Sequence, residues 1–563
     1  MKRNVLVTSA LPYANGPIHL GHLIEYIQSD IWCRYHKLSD TNCWYVCADD
    51  AHGTPVMISA QKSNISPEEM IDRTKKDHIR DLSAFGIEFD HYSSTHTATN
   101  KYHVYRIYNS LKAKGLIDKK SVDQLFDKEK NVFLPDRFIK GECPKCTALD
   151  QYGDGCEVCG SVYSPTELKS PYSVLSKSVP VMRASDHYFF RLSDSRCVSF
   201  LKEWIPTAVQ DETVRKLKEW IGDSSSGEAN LADWDISRDK PYFGFSIPDE
   251  PDKFFYVWFD APIAYIATSH ELCNANKLSW KDIWEPDSEY EIYHFIGKDI
   301  VYFHTLFWPS LLKFSDTKLP TKVFIHGFLT INHEKMSKSR GNFVSANDYL
   351  SANLDPEWMR YYVAAHSGRA IKDIDLNWTE FHSLINSNLI GKYINVFSRS
   401  VKFADILGGN LLAYAKLEQD AKELEIKLLE IRSNILKLYE LREFSKVTRE
   451  VMGAADKINK YIDEKKPWLL VKNRSKENDY KLLSCVSAAI RGFVILTLYM
   501  KPIIPRTAQR VEEMLDCGCC IDASTLPRLE HVSIAVSQDR TQLMNRVGPE
   551  HEGMFTFDQK DKK

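Results

Sequence analysis

Apolar positions open the chain as a short β-branched run, Asn4 to Ser9, which breaks at Pro12, Asn15, Gly16 and Pro17. They resume from Leu20 to Lys37 with the spacing of an amphipathic helix. The pattern predicts strand, loop and helix. A second run, Cys43 to Ala48, stops at Asp49-Asp50, as a buried parallel strand does when polar residues sit at its carboxyl edge. The chain therefore begins as a doubly wound α/β domain.

From about Lys101 to Asp252 the period gives way to short, turn-rich segments, and α/β character returns near Phe254 to Trp258. This predicts an insertion that splits the first domain. Beyond about Leu389 strands nearly vanish, and long amphipathic stretches, Ala421 to Tyr439 and Lys481 to Tyr499, predict a helical bundle. The expected fold is α/β, a Rossmann-type doubly wound parallel sheet split by an insertion and followed by a C-terminal α-helical bundle. Its expected parts are residues 1–98, an insertion at 99–253, a second α/β half at 254–328, a connecting domain at 329–390, the bundle at 391–549 and a polar, frayed tail at 550–563.

Composition narrows the class without naming a partner. Lys plus Arg number 73 against 76 Asp plus Glu, so any nucleic acid must be met by a local basic patch. Lys2-Arg3 is followed by an apolar stretch too interrupted for a signal peptide. The run Gly492 to Met500 is far short of the ~20 residues that span a bilayer and reads as a buried helix. A cytoplasmic chain without membrane contact is expected. Its 13 cysteines should then be reduced thiols whose spacing carries the information. Cys143, Cys146, Cys156 and Cys159 form two CxxC pairs among turn-forming Pro144, Gly153, Gly155 and Gly160, the spacing of a tetrahedral Zn²⁺ site. Four thiolates leave no open position, so one structural ion is expected. Cys517, Cys519 and Cys520 lack a matching pair and read as incidental.

Two further motifs carry chemistry. His19-Leu20-Gly21-His22 lies where the first loop enters a helix, with its imidazoles on one face beside free backbone N–H groups. Phosphates favour such a place, and Gly21 would let a planar base approach the backbone. Lys335-Met336-Ser337-Lys338-Ser339, followed by Arg340-Gly341, makes a cationic loop suited to pyrophosphate. Taken singly, such histidines are more often surface or core residues, and the lysines also read as a solvated loop. No GxxxxGK[ST] phosphate loop occurs.

Together the two motifs match the paired signatures of class I aminoacyl-tRNA synthetases, with Leu20 where Ile is common. Ala10-Leu11-Pro12-Tyr13-Ala14-Asn15-Gly16, Cys47 to Pro55, Trp258 to Tyr265 and Gly297 to Trp308 make the chain resemble the methionyl-tRNA synthetases. The resemblance implies methionine-tRNA ligase activity through a methionyl-adenylate, with ATP, Mg²⁺, L-methionine and tRNA(Met), initiator included, as cofactor and partners. It implies transfer first to the terminal 2′-hydroxyl, and it makes residues 329–390 the stem-contact domain and 391–549 the anticodon-binding domain.

By the same resemblance His19, His22, Lys335 and Lys338 are catalytic, and Gly21, Gly297, Lys298, Asp299 and His326 complete the ATP site. The methionine pocket is Leu11, Tyr13, Asp50, Trp258, Ala261, Pro262, Tyr265, Phe303, His304 and Trp308. Aromatic walls suit a polarizable thioether, and Asp50 suits an ammonium. Trp258, Ala261, Pro262 and Tyr265 also have the spacing of an ordinary core-facing helix. A methylene difference yields only about 1–3 kcal/mol of discrimination, which makes homocysteine the expected impostor.

In the bundle, Asn395 and Arg399 share a helix face and Trp468 follows Lys465-Lys466-Pro467, functions that splay and stack an unpaired loop. They match the anticodon-binding positions of the resembled family. Rival readings are a class I synthetase of another amino acid and a non-catalytic RNA-binding paralogue. With no evident dimerising module, a monomer is expected.

Overall fold

The strand β1 (Asn4–Ser9) is buried along Val5 to Ser9, which a central strand with helices on both faces permits. Helix α1 (Leu20–Leu38) connects it to β2 (Asn42–Asp49), and β3 (His91–Ser94), β4 (Glu291–Gly297) and β5 (Lys322–His326) complete a sheet ordered β5-β4-β1-β2-β3. Every pairing is parallel. The chain adds strands outward on one side of β1 and, after the insertion, on the other. The reversal falls between β1 and β4, whose carboxyl ends open the crevice where such sheets bind ligands. The structure, a computed structural model, describes residues 2–39, 41–153, 155–156, 158–159, 161, 163–222, 231–336, 342–407, 411–412, 414–516, 535–536 and 542–555.

The helix Ala98–Ala113 still belongs to this body, since Val104 and Ile107 pack in one core with Leu6 and Val46. Beyond it, the region expected to be turn-rich contains a long antiparallel ladder, Ile117–Asp127 on Val181–Phe190. Most side chains of Ile117–Asp127 are partly or fully exposed, so the apolar signal of a strand was weak. A small sheet of Ile139–Glu142, Gln151–Tyr152 and Lys169–Ser173 carries the four cysteines.

The bundle is built on helix Lys476–Met500, against which Asn395–Ile406, Gln419–Glu430 and Phe444–Lys465 pack. It is long and apolar enough to cross a membrane, but 89% of its apolar window is buried in protein. The single helix expected over Ala421 to Tyr439 is two, Gln419–Glu430 and Arg432–Glu440, turning at Ile431. Inside, Arg491 grips Glu425 through two hydrogen bonds of 2.8 Å, so the buried cation is neutralised where it sits.

A buried cation joins bundle to sheet. Arg360, fully buried in helix Pro356–His366, donates to Asp30 of α1 at 2.6 Å and to the carbonyls of Pro502 and Ile503 at 2.9 and 2.8 Å. The stretch Glu550 to Phe555 does not fray: Phe555 is buried against Trp378 and Phe381, and its carbonyl accepts from Asn332 Nδ2 at 2.8 Å. One aromatic side chain is enough to anchor it.

Candidate active site

The loop between β1 and α1 is fastened from below. His78 places Nε2 2.7 Å from the Gly16 carbonyl and Nδ1 2.7 Å from Asp49, which also accepts from the Tyr92 hydroxyl. His19 then caps α1: its N–H points at His22 Nδ1 at 3.4 Å, and the two rings stack with centroids 3.6 Å apart. Burial, then the neighbouring His19 and His78, hold His22 well below the usual imidazole range, so it is neutral. The first turn of α1 contains no acidic side chain to occupy the positive end of its dipole. A Cβ on Gly21 would lie 2.9 Å from Met336 Cε and 3.0 Å from His19 Nδ1, so only glycine leaves the helix start bare.

These groups face a cleft of about 630 Å³ that Gly297, Asp299, His326 and Lys335 also line. His326 is aimed by Glu25, whose carboxylate lies 3.1 Å from Nε2 and also accepts from the Ala10 N–H. Lys335 Nζ stands 5.1 Å from the Phe328 ring centre, and the Lys335 carbonyl accepts from Asn342 Nδ2 at 3.0 Å. The chain returning from the lysine loop bridges to His19 at Ser345, and Val344 accepts from the Leu20 N–H at 3.1 Å. Both described flanks of the loop therefore abut the histidine signature. Lys338 itself lies outside the described residues. Lys298 Nζ stands 4.5 Å from the ring centre of Phe328, which lines the cleft, and pairs with Asp373 at 2.6 Å.

A second chamber of about 310 Å³ shares Ala10, Leu11, Asp299 and Ile300 with the first. Trp258, Ala261, Pro262, Tyr265, Phe303 and His304 line it, with Asp50 among them. The helical spacing of Trp258 to Tyr265 is interrupted: Val257–Asp260 ends before Pro262 and Ala264–Ala275 begins after it, leaving Trp258 44% exposed. The Tyr265 hydroxyl sits 2.9 Å from His304 Nε2, and burial pushes His304 down to about 4, so this pair is neutral at pH 7. Asp50 Oδ1 is buried without a hydrogen-bond partner among the described residues. Burial, then Asp260 and Asp49, push its carboxyl well above the usual range. A cation brought beside it would relieve both.

Two expected pocket residues sit elsewhere. Tyr13 lines the first chamber, and its hydroxyl donates to the His52 carbonyl at 2.8 Å over Gly53, where φ is +104° and a Cβ would come within 2.7 Å of that hydroxyl. Trp308 is fully buried behind Tyr265, donating to His294 Nε2 at 3.0 Å. Sequence reasoning missed Glu25 and Tyr26, which follow His22 by three and four residues on the same face of α1, a spacing that could have revealed them. Trp234, a wall of the second chamber, gave no local signal, and Tyr302, another, lies within the run Gly297 to Trp308 without having been singled out.

The comparisons with known proteins agree with this geometry. A family model described as tRNA synthetases class I (M) matches residues 5–401. The chain is 50% identical over 523 residues to a methionine–tRNA ligase of Nitrosomonas europaea, covering 92% of this chain and 73% of that one. With the corresponding ligase of Neisseria gonorrhoeae it shares 48% over 533 residues, covering 92% and 75%. The chain belongs to the class I methionine–tRNA ligase family. In fold it matches a Mycobacterium tuberculosis methionyl-tRNA synthetase solved with methionyl-adenylate, at a TM-score of 0.76 and 22% identity over 96% of this chain and 99% of that one.

Within this family member the four cysteines converge as their spacing predicted. Their ligand atoms lie within 4.8 Å of one another, with Cys143 and Cys159 sulfurs 3.8 Å apart and those of Cys146 and Cys156 3.4 Å apart. Sulfurs bound at about 2.3 Å around one tetrahedral ion stand about 3.8 Å apart, whereas disulfide sulfurs stand about 2.05 Å apart. The donor set fits Zn²⁺. Backbone N–H groups of Cys146 and Cys159 point at Cys143 and Cys156 sulfurs at 3.4 and 3.3 Å, and the Ser161 hydroxyl and N–H hold the Cys159 thiol down to about 6. The second cysteine cluster, Cys517, Cys519 and Cys520, lies outside the described residues.

In the bundle, Asn395 and Arg399 both reach Asn459, at 3.2 and 3.4 Å, and Arg399 also pairs with Asp463. The helix bearing those partners ends at Lys465, and Trp468 follows on the next short helix, 40% exposed beside exposed Leu469.

Proposed function

We propose that this chain activates L-methionine with ATP and transfers it to the 3′-terminal adenosine of tRNA(Met). The observation that carries the proposal is the common wall of the two chambers: His19, His22 and Lys335 lie on one side of Ala10, Leu11, Asp299 and Ile300, and an aromatic pocket with the unpartnered Oδ1 of Asp50 lies on the other. An amino acid whose ammonium meets Asp50 would present its carboxylate at that wall.

In the first step a methionine carboxylate oxygen attacks the α-phosphorus of ATP, and the bond to pyrophosphate breaks. His19 and His22 would donate to the phosphate oxygens as charge builds, Gly21 would admit the adenine, and Lys335 with Lys338 would hold the departing pyrophosphate. Gly297, Asp299 and His326 would contact the adenosine, with His326 oriented by Glu25. Mg²⁺ would enter with ATP and supply charge neutralisation on its phosphates. In the second step a terminal ribose hydroxyl attacks the methionyl carbonyl and AMP departs.

Leu11, Trp258, Ala261, Pro262, Tyr265, Phe303 and His304 would enclose the thioether, with Trp308 supporting Tyr265. One structural Zn²⁺ would be held by Cys143, Cys146, Cys156 and Cys159 and would brace the small sheet of the insertion. Asn395, Arg399 and Trp468 would read the anticodon after Arg399 leaves Asp463.

ATP–pyrophosphate exchange across a panel of amino acids tests the reading. Methionine should dominate, with homocysteine the strongest competitor. Exchange driven best by leucine, valine or cysteine would reassign the substrate, and no exchange with any amino acid would leave a non-catalytic paralogue.

A further inference from the structure

At the amino-terminal end of the same sheet, opposite the catalytic cleft, lies a separate cavity of about 280 Å³. Its walls include Trp32 of α1, Tyr293 of β4 and Phe324 of β5, and Arg442, Arg369 and Lys322 bring positive charge to it. Arg442 is 5% exposed, and its guanidinium carbon stands 3.6 Å from the centre of the Phe324 ring. Among the described residues its guanidinium has no hydrogen-bond or ion-pair partner, which leaves its donors to the cavity that it lines.

The other polar groups around the cavity are engaged. Glu440, the acid in its wall, pairs with Arg3 at 2.9 Å, and Gln210 donates to the Ile325 and Arg369 carbonyls, each at 3.1 Å. Lys322 donates to the Thr207 carbonyl at 2.5 Å, and Arg369 reaches only Asp211, at 4.0 Å. Burial, then Arg369, pull Arg442 down to about 9, which leaves it charged at pH 7. Arg442 takes a left-handed backbone, φ +58°, as the residue that ends helix Arg432–Glu440, where the Glu443 N–H returns to the Leu438 carbonyl at 2.8 Å.

We infer that this cavity is a binding site for a small amphipathic oxyanion, its carboxylate or phosphate oxygens forked by Arg442 and met by Arg369 and its apolar body seated among Trp32, Tyr293 and Phe324. A planar guanidinium matches such an oxyanion through two parallel hydrogen bonds. The site differs from the catalytic cleft in place and in chemistry, being guanidinium-based and aromatic instead of imidazole-based.

Thermal unfolding of the full chain, titrated with benzoate and separately with inorganic phosphate against chloride at equal ionic strength, tests this. A saturable rise in Tm is expected, from which an apparent Kd follows. Benzoate binding tighter than phosphate would identify a carboxylate with an apolar body as the occupant, and the reverse would identify a phosphate. Arg442→Gln should weaken the preferred anion at least tenfold, Arg369→Gln twofold to fivefold, and Lys335→Ala, in the catalytic cleft, should leave its Kd unchanged. If Arg442→Gln fails to fold, Arg369→Gln and Arg442→Lys carry the test, both expected to weaken binding. No saturable rise with either anion, or wild-type affinity in the arginine variants, would overturn the site.

Discussion

The cysteine knuckle and the catalytic cleft solve the same problem in opposite ways. The knuckle takes its four sulfurs from one short stretch, Cys143 to Cys159, over a small cluster that includes Leu125, Phe138, Ile139 and Leu168. The cleft takes its side chains from Ala10 to Phe343 and rests on two large cores. Where little apolar area is buried, an ion must do the holding. Where whole layers pack, polar groups can be left unsatisfied for a substrate. The difference predicts that the knuckle fails as a unit when one ligand is lost, while the cleft can lose a working side chain and keep its shape.

The largest effect should come from removing the metal, since zinc contributes roughly 10–16 kcal/mol to small thiolate domains. With chelator, amides in Ile139–Ser173 should lose hydrogen-exchange protection while Val5 to Ser9 keep theirs, and loss of protection in both would erase the contrast. Lys335→Ala, at an exposed position, should lower the exchange kcat by about 10²–10³ with no change in Tm. A comparable fall in Tm would make the lysine a structural residue.

Asp50→Asn sharpens the comparison, because it should separate binding from stability. Loss of a hydrogen bond to a charged group costs about 1.5–3 kcal/mol, which should raise the KM for methionine roughly 10- to 100-fold. The ligand-free protein should meanwhile unfold at a higher temperature, since the buried acid whose Oδ1 has no partner is gone. A lowered Tm with unchanged KM would show Asp50 to be ordinary scaffolding.

Trp468→Ala probes a region between these extremes, half-exposed and lightly packed. Stacking contributes about 1–3 kcal/mol per base, so charging should fall roughly 10- to 100-fold in kcat/KM while exchange survives. Equal loss of both would remove Trp468 from recognition. The smallest effect belongs to Leu20→Ile: a volume-conserving change at a buried position costs under about 1.5 kcal/mol, and exchange should stay within about twofold.

The same contrast explains what was legible in the sequence. β1 and β2 were readable as continuous apolar runs buried on both faces, α1 from the helical spacing of its apolar residues, and the knuckle because its ligands are local. The ladder Ile117–Asp127 was hidden because most of its side chains meet solvent. Trp234 reaches the second chamber from within the insertion, and Arg442 depends on a ring at Phe324; no local pattern announces contacts across such separations. Trp308 shows the converse, since the motif that carries it marks a neighbourhood and its side chain turns into the core behind Tyr265.

The wall formed by Ala10, Leu11, Asp299 and Ile300 also bears on retention. Two separate molecules would each engage one side of it and each lose their own freedom on arrival. A single molecule formed by joining them grips both sides at once, so the second set of contacts becomes intramolecular and its escape requires releasing both. A reactive mixed anhydride made there would stay sheltered from water while the smaller fragment diffuses away, and the protein could wait for its next partner without spilling the intermediate.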